Sequence, residues 1–459
     1  MPSSSTMRNV FFGILIGVSL SLTTTSLVQR YERRKKPRIK EKVFEPRPIE
    51  LRSDEIVDGV AGLIGHTPLV RIKSLSDALG VEILGKAEYL NPGGSVKDRV
   101  ALRVIEDAER QGLLHPHTGS RIFEGTVGST GISIATIARS RLLFIAFNTA
   151  IIMPDDVAEE KVKALLALGA DVERVRPASI VDKKQNLARQ HAIHFGHPEP
   201  FTSGRPRLRT LSSCIVVTTT GNGSAKSKAD SPAAEERRRL EPRGFFADQF
   251  ENRSNFDAHF EGTGPEIWRQ TSGRVDAFVA GAGTGGTIAG TGQYLKSMNE
   301  DLEVVLADPE GSGLYNKVKH GVMFDRKERE GTKRRHQVDT IVEGIGNNRL
   351  TNNIELAIPI IDDAFRITDA EAVSMSRYLV RHDGFFLGSS SACNLVACVK
   401  FVEKMGWKDG QRVVTILCDS GNRHYSKFWN DDYLRAAGIP VDTEITENLL
   451  NRPIPNGSV

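Results

Sequence analysis

Short apolar runs alternate along most of this chain with segments in which apolar residues recur every three or four positions. The runs at 81–86, 275–280 and 413–417 are typical of buried strands, whereas 100–108 and 288–298 carry helical spacing. Gly, Pro and Asn separate the two kinds of segment. The alternation predicts an α/β fold in which helices cover both faces of a twisted, largely parallel sheet.

The first candidate for chemistry is the segment 91–99, Asn-Pro-Gly-Gly-Ser-Val-Lys-Asp-Arg. Its first four residues predict a turn, and the next four are typical of a capping box, in which Ser95 accepts a backbone N–H and Asp98 reaches back. Lys97 would then lie in the first turn of a helix, where the helix dipole disfavours a cation. A neutral amine is the form that makes a Schiff base. A surface lysine at a helix start is the alternative.

A glycine-rich loop at 281–287, Gly-Ala-Gly-Thr-Gly-Gly-Thr, separates a predicted strand from a predicted helix. Glycines allow a close backbone approach, and a helix N-terminus directs N–H groups at an anion, so the loop predicts a phosphate site. Gly281, Gly283 and Gly286 also match the dinucleotide pattern G-x-G-x-x-G, and Asp308 follows at the end of the next strand. An NAD-dependent oxidoreductase is therefore a rival interpretation.

Two further segments predict ligand contacts. The small residues of 125–131, Gly-Thr-Val-Gly-Ser-Thr-Gly, precede a helix predicted from about Ile132, and a plain tight turn is the alternative. Ser420 follows the apolar strand 413–417, at the carboxyl end where ligands of α/β proteins bind. A serine that merely caps the next helix is the alternative there.

Taken together, these motifs resemble those of the fold type II pyridoxal-phosphate enzymes (tryptophan synthase β-like). Within that family, the segments 65–71, 243–250, 262–268 and 341–346 are similar to those of the cysteine synthase and cystathionine β-synthase branch. The resemblance runs from about Gly59 to Leu434. It implies two three-layer α/β/α subdomains with the cofactor between them, the smaller and more mobile one comprising about 122–195.

The resemblance also implies roles for individual residues. Lys97 would hold pyridoxal 5'-phosphate and act in catalysis, Ser129 would contact the ring hydroxyl, and Ser420 the pyridine nitrogen. The residues that would bind the cofactor phosphate are Gly283, Thr284, Gly285, Gly286 and Thr287. The residues that would bind the substrate, chiefly its carboxylate, are Thr126, Gly128, Thr130, Gly131 and Gln249. No metal site is expected.

Two positions of the loop 125–131 depart from the family pattern. Val127 stands where the family has serine, and Ser129 where it has asparagine. The second change removes an amide donor, although a serine hydroxyl can still donate one hydrogen bond from a shorter side chain. Cofactor binding is expected to survive these changes, while catalytic rate and substrate choice stay open.

The implied reaction is a β-replacement that makes L-cysteine from O-acetyl-L-serine and sulfide through an aminoacrylate intermediate. The Ser420 hydroxyl would not stabilise a protonated pyridine, which limits long-lived carbanions and suits prompt β-elimination. Cystathionine β-synthase, which joins serine and homocysteine, is the first alternative. Serine dehydratase is another, against which the segments 243–250 and 262–268 count. The last alternative is a catalytically weak pyridoxal-phosphate-binding protein tethered to a membrane.

Composition and charge narrow the class of protein. The chain has 459 residues and a net charge of +4, with the basic excess at its N-terminus, which argues against a nucleic-acid surface on the folded part. The four cysteines form no CxxC pair. Free thiols in a reducing compartment are expected, with Cys393 and Cys398 in the core.

The N-terminus predicts a membrane anchor. Residues 10–28 are apolar and uncharged, just long enough to span a bilayer, and a run rich in Arg and Lys follows up to residue 42. This order indicates a signal anchor at 1–42 that leaves the catalytic domain, 43–459, in the cytosol, similar to membrane-anchored fungal cysteine synthases. The mitochondrial outer membrane is the expected location, with the endoplasmic reticulum, or a disordered or cleaved leader, as alternatives. A homodimer is expected from the family.

Two segments fit the pattern poorly. Within 139–150, the apolar stretch 142–147 replaces the glycine-containing turn that the family has before its next strand. Residues 197–241 include a stretch rich in Gly, Ser, Thr, Lys and Ala without apolar periodicity, which predicts a disordered insertion. For 139–150 and 205–235, divergence of the protein and an error in the gene model are both open.

Overall fold

The computed structural model describes residues 56–116, 118–140, 148–176, 183–195, 242–325 and 340–451, together with the backbone of 209–211 and 214–216. The predicted anchor at 1–42, the apolar stretch 142–147 and most of the predicted insertion at 197–241 lie outside these ranges. Among the helices of the described ranges, none has the length and hydropathy needed to cross a membrane.

Strands and helices alternate along the described chain. The strands are β1 (Leu69–Arg71), β2 (Glu82–Ala87), β3 (Arg121–Gly125), β4 (Asn148–Pro154), β5 (Asp171–Val175), β6 (Arg209–Leu211), β7 (Cys214–Val216), β8 (Gly244–Phe246), β9 (Ala277–Gly281), β10 (Glu303–Pro309), β11 (Asp363–Ile367) and β12 (Arg412–Leu417). The helices are α1 (Gly59–Gly62), α2 (Lys73–Leu79), α3 (Lys97–Arg110), α4 (Ser129–Ser140), α5 (Glu159–Ala167), α6 (Lys183–His194), α7 (Ser254–Ala258), α8 (Gly264–Gln270), α9 (Gly286–Met298), α10 (Leu314–His320), α11 (Asn352–Ala357), α12 (Asp369–Asp383), α13 (Ser389–Met405), α14 (Asp431–Ala436) and α15 (Glu444–Leu450).

The larger sheet has the strand order β1-β2-β12-β9-β10-β11, and its strands are parallel except for the edge strand β1. Successive residues of its central strands enter different cores. Val279 and Val305 pack with α2, α12 and α13 on one face. Phe278 and Val304 pack with α8, α9 and α11 on the other face. This is the three-layer α/β/α arrangement that the sequence predicts.

The smaller sheet has the order β5-β4-β3-β8 and is entirely parallel. Ile122 faces α3 and α4, whereas the next residue, Phe123, packs with α6 on the opposite face. Strand β8 completes this sheet although it lies far beyond the predicted range 122–195. The short strands β6 and β7, inside the segment predicted to be disordered, pair with each other in antiparallel fashion.

Strands β2, β9 and β12 are adjacent in the larger sheet and run parallel, so their carboxyl ends meet at one edge. Strand β2 leads to the lysine segment 91–99, β9 to the glycine loop 281–287, and β12 to Cys418, Asp419 and Ser420. The smaller sheet brings the loop after β3 to the same region, because α4, which follows that loop, packs against α3. The fold therefore gathers the predicted site segments.

Candidate active site

The lysine segment forms a turn followed at once by α3, whose first residue is Lys97. The predicted capping box is wrong. Asp98 accepts the backbone N–H of Gly93 (2.5 Å) and the hydroxyl of Ser133, while the Ser95 hydroxyl accepts the N–H of Lys97 (3.3 Å). A Cβ on Gly93 would lie 2.4 Å from Asp98 Oδ1, so only glycine allows this approach. Asp98 thus closes the turn before the helix instead of capping it.

A buried ion network lies beneath this turn. The Arg99 guanidinium donates to Glu88 Oε1 and Oε2 (both 2.8 Å) and to Glu266 Oε1 and Oε2 (2.7 and 2.8 Å). Lys86 adds a further bond to Glu266 Oε2 (2.6 Å) and one to the carbonyl oxygen of Thr67 (2.5 Å). Two anions and two cations are therefore paired out of water.

The network is ionised on both sides. Burial alone would raise the pKa of Glu266, but hydrogen bonds and charge from Arg99, with help from Lys86, hold that pKa well below its usual range. Glu88 follows the same pattern: burial opposes ionisation of this carboxyl, and Arg99 outweighs burial and lowers its pKa. Since removal of one partner would leave a buried charge unpaired, the network fixes the position of the lysine turn.

Lys97 points into a buried chamber, here called the inner chamber, whose walls include Ser129, Thr284, Asn394 and Cys418. Burial lowers the pKa of the Lys97 amine, partly opposed by the neighbouring Cys418. Burial likewise raises the pKa of the Cys418 thiol to about 12, so this thiol stays protonated at neutral pH. The neutral amine that a Schiff base requires is favoured, with burial as the main cause.

The glycine loop forms the facing wall of the inner chamber and leads into α9 at Gly286. Side chains are excluded along it. A Cβ would lie 2.3 Å from the Gly344 carbonyl oxygen at Gly283, 2.6 Å from Ile354 at Gly285, and 2.1 Å from an Asn255 oxygen at Gly286. The exposed backbone and the start of a 13-residue helix make a cradle for a dianion.

Two side chains that the sequence analysis missed support this cradle. Asn255 donates to Thr284 Oγ1 (2.8 Å), and His259 Nε2 lies 3.1 Å from Thr287 Oγ1. Burial, together with the charges of Lys97 and Arg99, lowers the pKa of His259 to about 3, so its ring is neutral. A neutral imidazole can accept the Thr287 hydroxyl proton or donate to that oxygen, depending on its tautomer.

A second space, the outer chamber, continues from the inner one and has a volume of about 350 Å³. Lys97, Ser129, Gly283 and Thr284 border both chambers. Of the predicted substrate contacts, Thr126, Thr130 and Gln249 line the outer chamber. The chambers together bring Lys97, the glycine cradle and part of the predicted substrate loop into one continuous cleft.

Four predicted site residues are not among those that line either chamber, namely Gly128, Gly131, Gly286 and Ser420. Gly128 has φ +123° and allows the Lys161 side chain to pass, since a Cβ there would lie 2.7 Å from it. Helix α4 begins at Ser129, three residues earlier than expected, because the small residues after Gly128 continue the helix. Ser420 accepts the N–H of Asn422 (3.3 Å) and caps a short 3₁₀ turn directly after the lining residues Cys418 and Asp419.

Ion pairs join the two sheets across the cleft. Lys161, on α5 of the smaller sheet, pairs with Glu343, which precedes β11 of the larger sheet and borders both chambers. Lys427 lies 3.4 Å from the other carboxylate oxygen of Glu343. Burial would raise the pKa of Glu343, but Lys161 and its neighbours outweigh it and lower that pKa. Glu343 is therefore an anion at the junction of the chambers, a feature that the sequence analysis did not identify.

Asp308 does not have the role that the dinucleotide interpretation requires. Its carboxylate accepts the N–H of Tyr315 at the start of α10 (2.7 Å), and its side chain is fully buried. Burial raises the pKa of Asp308 to about 7, and the residue borders neither chamber. A carboxylate turned into the protein cannot bind a ribose hydroxyl in the cleft, so this interpretation is wrong.

The geometry of the site defines the class of protein. A lysine with a weakly basic amine faces a glycine cradle within one buried chamber, and this combination fits a cofactor that carries both an aldehyde and a phosphate. Since both groups lie at the carboxyl edge of a parallel sheet, the chain has the site of an α/β enzyme that uses pyridoxal phosphate.

Comparison with known proteins places the chain more closely. Residues 60–203 and 205–419 match the family model described as pyridoxal-phosphate dependent enzyme, and the chain belongs to this family. It is 52% identical to cysteine synthase 2 of Schizosaccharomyces pombe, over 84% of this chain and 87% of that protein. It is 45% identical to the putative mitochondrial cysteine synthase of Saccharomyces cerevisiae, over 82% of this chain and 84% of that protein.

Solved structures agree with this membership. The crystal structure of an O-acetylserine dependent cystathionine beta-synthase from Helicobacter pylori superposes with a TM-score of 0.61 at 26% identity. The match covers 81% of this chain and 98% of that one. The fold inferred from the alternating pattern and from the motifs is thus confirmed.

Proposed function

We propose that this chain makes L-cysteine from O-acetyl-L-serine and sulfide in a pyridoxal-phosphate-dependent β-replacement. The observation that carries the proposal is the single cleft in which Lys97, the glycine cradle and the loop 126–130 meet. The similarity to two fungal cysteine synthases, at 52% and 45% identity, supports the choice of reaction.

The residues present would hold the cofactor from three sides. The Lys97 amine would hold its aldehyde group, the cradle Gly283–Thr287 would hold its phosphate, and the Ser129 hydroxyl would donate to its ring oxygen. Ser129 Oγ already accepts a hydrogen bond from Arg423 (3.3 Å), which leaves the Ser129 proton to donate. Ser420 is proposed as the partner of the ring nitrogen. When bound, pyridoxal phosphate supplies an electron-withdrawing system that stabilises negative charge at Cα of an attached amino acid.

The chain itself would bind the amino acid, move its proton and exclude water. The substrate carboxylate fits the loop 126–131, where the first N–H groups of α4 have no acceptor inside the helix. The Lys97 amine would take the proton from Cα, and the bond between Cβ and the acetoxy oxygen would then break. Sulfide forms the new bond to Cβ, so that O-acetyl-L-serine and hydrogen sulfide give L-cysteine and acetic acid.

The proposal is tested with full-length protein saturated with pyridoxal phosphate. We expect cysteine and acetate to form in equal amounts from O-acetyl-L-serine and sulfide, with the visible band of the bound cofactor changing on addition of O-acetyl-L-serine. Lys97→Ala should abolish both turnover and that band. Lys163→Ala, at an exposed lysine of α5, is the matched control and should keep them. Full turnover by Lys97→Ala would reject the assignment.

A second nucleophile deserves comparison with sulfide. The outer chamber, at about 350 Å³, is far larger than sulfide requires, and the Helicobacter pylori relative is named as a cystathionine beta-synthase that depends on O-acetylserine. Homocysteine is therefore the second candidate. Competition between sulfide and homocysteine for O-acetyl-L-serine, with cysteine and cystathionine measured together, decides which nucleophile has the higher kcat/KM.

We further propose that residues 1–42 anchor the enzyme as a single-pass protein of the mitochondrial outer membrane, with the catalytic domain in the cytosol. The basic residues that follow the apolar run 10–28 support this orientation. A fusion of residues 1–45 to a fluorescent protein should label mitochondria, and diffuse cytosolic fluorescence would reject the anchor. We also propose, from the family resemblance, a homodimer in which the smaller sheet is the more mobile part of each subunit.

A further inference from the structure

Glu124 is a buried carboxyl group that the proposed reaction does not use. It lies near the carboxyl end of β3, directly before the loop 125–131, and its side chain has no solvent exposure. A carboxyl group in such a place is costly unless its hydrogen bonds are satisfied. Its contacts therefore indicate why the fold tolerates it.

Two glutamine side chains converge on this carboxyl. Gln185 Nε2, from α6, lies 2.9 Å from Glu124 Oε1, and Gln249 Nε2, from the segment after β8, lies 3.1 Å from the same oxygen. The backbone N–H of Gln249 lies 3.4 Å from Oε2. Elements that are distant in sequence thus share Glu124 as an acceptor.

The orientation of the Gln249 amide follows from its other contacts. Nε2 also lies 3.2 Å from the carbonyl oxygen of Gly125, which can only accept, so the nitrogen must face that side. Its Oε1 then accepts the hydroxyl proton of Thr130 (2.5 Å), a residue that lines the outer chamber. Both amide protons have acceptors inside the protein.

Burial and hydrogen bonding act on the pKa of Glu124 in opposite directions. Burial raises the pKa of Glu124 to about 8, and nearby Asp248 adds to the effect, whereas the bonds from Gln185 and Gln249 oppose it. In the described part of the chain, Gln185 Oε1 has no hydrogen-bond partner. Gln185 Nε2 also donates to the Gly125 carbonyl oxygen, which can only accept, so the orientation of the Gln185 amide is fixed as well.

We propose that Glu124 is a positioning residue for the substrate carboxylate, which acts through Gln249 and Thr130. Glu124 holds the Gln249 amide, Gln249 holds the Thr130 hydroxyl, and the first turn of α4 is thereby fixed with its backbone N–H groups toward the chamber. The proposal rests on the proposed function, because it assumes that the loop 126–131 binds an amino-acid carboxylate.

The test compares Glu124→Leu with Glu124→Gln in the holoenzyme. Leucine removes the acceptor, and we expect KM for O-acetyl-L-serine to rise about tenfold, as for one buried hydrogen bond, with kcat changed less than about twofold. Glutamine keeps one side-chain oxygen that can accept from Gln185 and Gln249, and should keep KM within about threefold. Binding is also measured directly, by titrating the visible band of the cofactor with the amino acid.

A double-mutant cycle separates positioning from general stability. If Glu124 acts through Gln249, then Gln249→Met should raise KM by a similar factor, and adding Glu124→Leu to it should have no further effect on KM. An unchanged tenfold effect of Glu124→Leu in that background would overturn the proposal. If Glu124→Leu fails to fold, Gln249→Met alone remains the test, and an unaltered KM in that variant would overturn it.

The outcomes also separate this proposal from the function on which it rests. If no amino acid changes the cofactor band of the wild-type protein, both the proposed function and the positioning role of Glu124 are rejected. A wild-type protein that responds, together with variants of Glu124 and Gln249 that respond at the same concentrations, would reject the positioning role alone. Equal cofactor content in all variants serves as the control for folding.

Discussion

Replacement of Glu266 by glutamine tests the buried network beneath Lys97. The Glu266 carboxylate accepts two hydrogen bonds from Arg99 (2.7 and 2.8 Å), one from Lys86 (2.6 Å) and one from the backbone N–H of His66 (2.9 Å). Glutamine keeps the shape and removes the charge. Arg99 and Lys86 would then share the single remaining carboxylate, Glu88, in a site closed to water.

The magnitude follows from the loss of one partner in a buried charge network, which costs about 3–5 kcal/mol. Unfolding of a globular domain has an entropy of about 2.1 cal/mol/K per residue, so a unit of about 400 residues has about 0.8 kcal/mol/K. Glu266→Gln should therefore lower Tm by about 4–6 °C. Differential scanning calorimetry of the holoenzyme at pH 7 measures this value.

The pH dependence has a defined sign. Because the pKa of Glu266 is held well below its ordinary value of 4.5, its ionised form stabilises the fold at pH values above 4.5. As pH falls below 4.5, the Glu266 carboxylate binds a proton in the unfolded chain but not in the folded chain, and this stabilisation is lost. The difference in Tm between wild type and Glu266→Gln should therefore narrow between pH 7 and pH 4.

Two variants serve as controls, because they separate the loss of the buried charge from other effects of the substitution on Tm. Glu261→Gln makes the same chemical change in an exposed partner of Arg103, where an ion pair contributes at most about 1 kcal/mol, and should lower Tm by about 1 °C or less. Glu266→Gln combined with Lys86→Met removes one charge of each sign and should recover part of the loss. Equal Tm values for Glu266→Gln and Glu261→Gln would refute the reasoning.

Two further predictions concern the cradle. Gly283→Ala places a methyl group 2.3 Å from the Gly344 carbonyl oxygen, and overpacking of about 1–3 kcal/mol should weaken pyridoxal-phosphate affinity about ten- to hundredfold. Gly292→Ala, in the helix α9 that follows the cradle, meets only the side-chain methyl groups of Ile360 and Val304 and should retain the cofactor after dialysis. His259→Gln removes a group whose pKa falls to about 3 on folding. Below about pH 6.5, the unfolded chain binds a proton at this histidine, whereas the folded chain does not. Between pH 7 and pH 5, the free energy of unfolding should therefore fall by about 2 kcal/mol more in the wild type than in the variant. Over the same range, the Tm of the variant should fall by about 2–3 °C less.

The sequence could predict those parts of the site that are contiguous. The turn and helix around Lys97, and the strand, glycine loop and helix at 275–298, are encoded by local spacing and by residues with special backbone preferences. The structure forms both, with helices that begin at Lys97 and Gly286. Local rules suffice here because the backbone itself makes the contacts.

Contacts between distant residues could not be predicted in this way. Glu266 lies 167 positions from Arg99, and Gln249 lies 125 positions from Glu124, so no periodicity connects them. Strand β8 joins the smaller sheet only because the chain returns from a long excursion to pair Phe246 with Phe123. From the sequence alone, a carboxylate on a short helix would be expected to face solvent. Only tertiary packing places that of Glu266 in the core.

The lysine segment shows how local and distant constraints divide among neighbouring residues. Lys97 faces the inner chamber, Asp98 turns back to Gly93 and Ser133, and Arg99 reaches down to Glu88 and Glu266. The capping box was a reasonable prediction because Asp98 has the correct spacing, yet its carboxylate gains more from a backbone N–H and a hydroxyl in a buried turn than from an exposed helix end. Since three consecutive residues make contacts in three different directions, any rotation of the first turn of α3 would break at least one buried hydrogen bond. The rigidity of Lys97 therefore comes from its two neighbours, and its reactivity from the chamber into which they direct it.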